Sequence, residues 1–101
     1  MDLTDFRQSL TSDSPPDGLG DGTRAMWHAA KGAWDRAHEI AQDAGNEAGD
    51  WVHGYLHRVE GDLPNARYWY GRVEREIPDA SVEEEWEQIT LELLSREAAA
   101  D

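Results

Sequence analysis

The sequence predicts an all-α protein, and three observations carry that prediction. Thirteen of the 101 residues are Ala, the strongest helix former. Apolar residues recur at +3 and +4 spacing in successive stretches broken by Gly or Pro. A helix–turn–helix pattern also occurs twice, 29 residues apart. Leu, Ile, Val and Phe number only sixteen against a net charge of −13, a balance that on its own points toward disorder. Five Trp and three Tyr oppose it. Each buried aromatic ring removes roughly 150–250 Å² from water, so a folded helical domain with an aromatic core is expected, and this length supplies one such core.

The elements follow in chain order. Leu3, Phe6 and Leu10 space a short helix over residues 2–10. "TSDSPPDGLGDG", residues 11–22, has Pro, Gly and turn formers without apolar period, and reads as an acidic linker that leaves the segment before it loosely attached. A helix begins near Thr23 with Met26, Trp27 and Ala30 on its apolar side, and Gly32 interrupts it. The next carries Trp34, Ala37, Ala41 and Ala44, with Gly45 as its stop. Asp50 is placed to cap a third, with Val52, Leu56 and Val59 on one side. Gly61-Asp62 turns the chain, and Pro64 sits in the first turn of a helix striped by Ala66, Tyr70, Val73 and Ile77 and ended by Pro78. "SVEE", residues 81–84, is a capping box opening a last helix striped by Val82, Trp86, Ile89 and Leu93.

Aligning Gly32 with Gly61 pairs His28 with His57 and Ala37 with Ala66, and it pairs Trp27 and Trp34 with Leu56 and Leu63. The second unit resembles a tetratricopeptide repeat: Gly54, Gly61-Asp62, Ala66, Tyr70 and Pro78 take the places of that repeat's helix-A Gly, turn, helix-B Ala, following aromatic and closing Pro. The first keeps Ala25, Gly32 and Ala37, has Ala41 where the aromatic belongs, and lacks the Pro. "AHEIAQD" and "HRVEGDLPNARYWY" are similar to a small, functionally uncharacterised bacterial family of this type. The resemblance implies two tetratricopeptide-like helical hairpins in a right-handed α-α superhelix over residues 23–80, a C-terminal capping helix over 81–101, and a binding scaffold rather than an enzyme.

Charge narrows the partners. The acids concentrate at the two ends, whereas residues 23–78 hold nine acids and seven bases. Such a chain is not expected to bind a nucleic-acid backbone or an anionic membrane. The absence of Cys excludes disulfide and thiolate chemistry and fits the cytoplasm. "MDLTDFRQSL" has neither a basic n-region nor an apolar h-region, so no secretory leader is expected.

On the helix over 50–60, His53, His57 and Glu60 share one face by their +4 and +3 spacing, away from Val52, Leu56 and Val59. The 29-residue offset puts Arg24, His28 and Lys31 on the equivalent face of the helix before it. In a tetratricopeptide stack these rows line the concave surface, setting Arg24 beside His53, His28 beside His57 and Lys31 beside Glu60. Three readings stand open: a structural patch with a Lys31–Glu60 ion pair; a groove for a peptide or a small anionic ligand, needing no cofactor, in a monomer or weak homodimer; and a metal site of His28, His53, His57 and Glu60 in a metal-dependent hydrolase or lyase. An HxxxH spacing alone is a weak metal signal. His38, on the Trp34 and Ala41 side of its helix, reads as a satisfied core residue; Trp69 is expected on the last helix, Arg58 paired with Asp62, and Asn65 capping or bridging the turn. No Ser stands near a His in sequence, and "GLGDG" lacks the Lys of a phosphate loop.

Overall fold

The computed structural model describes residues 1–100, which form six helices and, among the described residues, no strand. The helices are α1 (Leu3–Ser9), α2 (Asp21–Ala30), α3 (Trp34–Ala44), α4 (Glu47–Glu60), α5 (Leu63–Arg72) and α6 (Val82–Ala99). Their termini follow local chemistry. The Asp2, Asn46, Asp62 and Ser81 side chains each accept a hydrogen bond from a backbone N–H in the first turn of α1, α4, α5 and α6. At α6 the capping box is complete, with Glu84 reaching back to the Ser81 N–H. Gly61 ends α4 at φ 87°, and an added Cβ there would meet open space. The requirement at this turn is therefore left-handed backbone, not close helix approach.

Consecutive helices pack from α2 to α5, each against the next, and α2 also touches α4. Met26, Trp27, Val52, Leu56, Tyr70 and Ile89 are buried at the centre. Gly54 of α4 lets the Tyr70 ring in, since a Cβ there would lie 2.7 Å from Tyr70 Cδ2. α6 does not extend the row by lying on α5. It packs on α1, α2 and α4, with the Trp86 indole N–H donating to the Met26 carbonyl at 3.0 Å.

The N-terminal segment is not loosely attached. Phe6 is fully buried, with its ring 6.0 Å from that of Trp86. The Trp27 indole donates to Ser9 Oγ at 3.0 Å, and Arg7 pairs with Glu87. A radius of gyration of 12.6 Å, against about 13 Å for a 100-residue domain, fits a chain with no extended arm.

Two boundaries differ from expectation. α4 starts one turn early because Asn46 caps it, leaving Asp50 within the helix, where it pairs with Arg72. α5 stops at Arg72, not at Pro78: Glu74 takes a left-handed φ of 57°, and Pro78 disfavours helical backbone at Ile77. Val73 and Ile77 still pack against the core, from outside the helix. Arg58 also finds a different partner. It reaches past its own turn to the buried Glu85 of α6 at 2.6 Å and to the Ala80 carbonyl, while Asp62 caps α5.

Candidate functional site

Three histidines from two helices meet where α3 crosses α4. His53 and His57 lie one turn apart on α4, their ring centroids 4.8 Å apart. α3 contributes His38, whose ring is 4.5 Å from that of His53 and 5.3 Å from that of His57. His38 Nε2 and His53 Nε2 are 2.9 Å apart, so one donates and the other accepts. His57 Nδ1 faces Glu60 Oε1 at 2.6 Å, and the Asn65 amide lies 3.2 Å from His57 Nε2. A carboxylate only accepts, so Nδ1 carries the proton and Nε2 keeps its lone pair toward the amide.

Aromatic rings wall the cluster. Trp34 stacks on His38 at 4.8 Å and 11°, one helical turn away on α3, and its indole N–H is anchored on the Leu56 carbonyl at 2.7 Å. Trp69 stacks on His53 at 3.9 Å and 16°, with Arg72 over its ring, instead of packing on α6. His53 and His57 are buried, and His38 is half-buried.

Burial sets the protonation state first. It drives His53 down to about 4, helped by the neighbouring His38 and His57 and opposed by Asp50. His38 is lowered by burial and then by His57, with Glu60 and Asp35 opposing. His38 and His53 therefore present neutral imidazoles at neutral pH within a field of nearby carboxylates.

The row expected opposite His53 and His57 lies elsewhere. Arg24 pairs with Asp21 of its own helix at 3.1 Å. The Lys31 ammonium does not reach Glu60; it binds the Leu10 and Ser12 carbonyls at 2.6 and 3.0 Å and so ties down the N-terminal segment. His28 rests edge-on to Trp27 and is lowered by burial, then by Arg36 and Arg24. Among the described residues, the donor sets close enough to share one ion are His38/His53/His57 and His57/Glu60/Asp62. His28 is in neither; its ring packs on Trp27 of its own helix. His38, Trp34, Trp69 and Asn65 are the additions. The visible signal for His38 was its place on the Trp34/Ala41 face, which must turn toward the next helix.

A second concavity lies between α1, α2, α4 and α6. This groove of roughly 640 Å³ has Leu10, Ala29, Trp34, Val59 and Trp86 among its apolar walls. Its edge carries Glu83, Glu84 and Glu87, with Arg7. Hydrogen bonds from the Ser81 backbone and hydroxyl hold the Glu84 carboxyl below its usual range. Val59 on the groove wall is 44% exposed, an apolar side chain left without a covering partner. Trp34 belongs to both places: its ring lines the groove and stacks on His38.

No family model, curated protein or solved structure matches the chain.

Proposed function

We propose that this chain is a small helical-repeat binding module that holds a basic, amphipathic peptide segment in the groove between α1, α2, α4 and α6. The observation that carries the reading is an apolar groove edged by three glutamates in a chain of net charge −13. Aliphatic or aromatic side chains of the segment enter between Trp34, Val59 and Trp86, and its Lys or Arg residues meet the acidic edge. A small anionic ligand is not favoured on the face first expected for it, because Arg24 and Lys31 are engaged within the chain.

The tetratricopeptide-like arrangement belongs to the same proposal. Its support is the short αL turn at Gly61, the seat of Tyr70 against Gly54, and the buried Ala66 early in α5. In that arrangement α6 occupies the concave side of the two hairpins, and binding moves to the groove at its margin.

Selection of a random peptide library on the immobilised chain tests the reading. Enriched peptides are expected to be basic and amphipathic, to bind more weakly as salt rises, and to lose binding to Val59→Asp or to Glu83→Lys. Enrichment without basic bias, or binding undiminished in both variants, overturns it.

A further inference from the structure

The two α4 histidines were placed together by spacing; the third ligand comes from α3, and it changes what the cluster can do. We propose that His38, His53 and His57 form a mononuclear site for a borderline divalent transition metal, Zn²⁺ among them, with Glu60 orienting His57. One ring nitrogen from each lies within 4.8 Å of the others. Tetrahedral Zn²⁺ at about 2.0–2.1 Å from each ligand holds its nitrogens roughly 3.3 Å apart. The 2.9 Å between His38 Nε2 and His53 Nε2 opens slightly, and an ion on His57 Nε2 takes the place of the Asn65 amide as that nitrogen's partner.

Four features favour a metal over a packed core of imidazoles. Trp34 and Trp69 stack on two of the rings and fix their orientation before any ion arrives. Glu60 on His57 Nδ1 is the carboxylate–histidine pairing that fixes the ligating tautomer and raises its basicity. Asp35, Asp50 and Glu60 act on the rings as nearby negative charges and so favour a cation among them. Finally, three polar rings, two of them buried, are an expensive way to fill this seam when apolar side chains would serve. Imidazole donors without thiolate suit Zn²⁺, Cu²⁺ and Ni²⁺ and disfavour Mg²⁺ and Ca²⁺. His38 is half-buried and Glu60 exposed, so a fourth position opens toward water.

The site stands independently of the peptide groove, and Trp34 reports on it through its stacking with His38. The test is a Zn²⁺ titration of the full chain, stripped with a chelator, by calorimetry and by competition with a chromogenic chelator. One Zn²⁺ per chain is expected. His38→Gln should weaken it more than 100-fold, Glu60→Gln about 10–100-fold, and His28→Gln not at all. Circular dichroism checks that each variant is folded. If His38→Gln does not fold, Co²⁺ loading of the parent decides: a strong visible d–d band marks a four-coordinate site. A parent that binds Zn²⁺ no more tightly than His38→Gln, or a Co²⁺ spectrum with only the weak six-coordinate band, overturns the proposal.

Discussion

Replacing Glu85 with Gln tests why α6 lies across α2 and α4. Glu85 is 2% exposed, yet it carries a carboxyl group. It accepts from Arg58 of α4 at 2.6 Å and from the Tyr70 hydroxyl of α5, so three helices meet on one side chain. Burial, then this hydrogen bond and the Glu85 charge, push the Tyr70 hydroxyl far above its ordinary range, so it remains a donor. Gln keeps the size and an acceptor for Tyr70 but leaves the Arg58 guanidinium without its counter-charge. Breaking a buried pair from one side costs about 3–5 kcal/mol. Arg58 is 14% exposed and also holds the Ala80 carbonyl, which lowers the expected loss to roughly 2–4 kcal/mol. For a domain of this size that corresponds to roughly 10–30 °C in Tm. Urea unfolding and calorimetry measure it, with the exposed Glu84→Gln as control, since Gln at that position still completes the capping box. Removing the unpaired guanidinium as well, Arg58→Met with Glu85→Gln, should recover part of the loss, because Gln still accepts from Tyr70. A Glu85→Gln protein no less stable than Glu84→Gln would refute the reasoning.

Three further outcomes are expected. Phe6→Ala should cost about 3–5 kcal/mol in urea unfolding, and deleting residues 1–20 at least as much, because Phe6 lies in the core under Trp86; unchanged midpoints would mean that α1 does not dock. Gly54→Ala should cost about 1–3 kcal/mol by overpacking, since its Cβ would stand 2.7 Å from the Tyr70 ring, and a melt coincident with the parent contradicts that contact. In chelator, stability should be full above pH 6.5 and fall as pH drops toward 4, because His53 titrates at about 4 when folded and at 6.5 when unfolded, so the unfolded chain takes up the proton first. That interval is worth about 3 kcal/mol at most, trimmed to about 1–3 by solvent on the His38 side. His53→Gln should flatten the parent's slope there, and parallel curves would exclude His53 as its source.

Local signals were legible in the sequence, and relations between helices were not. Gly61-Asp62, Pro64 and the "SVEE" box mark helix ends by chemistry within four residues, and all appear in their expected places. The cap of α4 was expected at Asp50, and only the fold shows that Asn46, four residues earlier, takes that role. The 29-residue repeat aligned the turns at Gly32 and Gly61, and both take a left-handed φ. It says nothing of what covers the faces between those turns. Placing α6 on α1, α2 and α4 depends on Glu85 finding Arg58, and on Trp86 finding a carbonyl 60 residues away. Composition carries no record of such pairings. The same limit explains the histidines. Spacing within α4 joins His53 to His57, because one helical turn does so in any fold. His28 was added by repeat symmetry, which assumes that equivalent positions meet, but its ring packs on Trp27, while His57 meets His38 and His53. His38 had no repeat partner of its kind, as the offset pairs it with Arg67. Yet it was the residue on the face that α3 turns toward α4. In a helical hairpin stack, a polar residue on an apolar stripe is thus better evidence for a shared site than one matched by repeat offset. The stripe must meet its neighbour, whereas a shared offset does not by itself bring two side chains together.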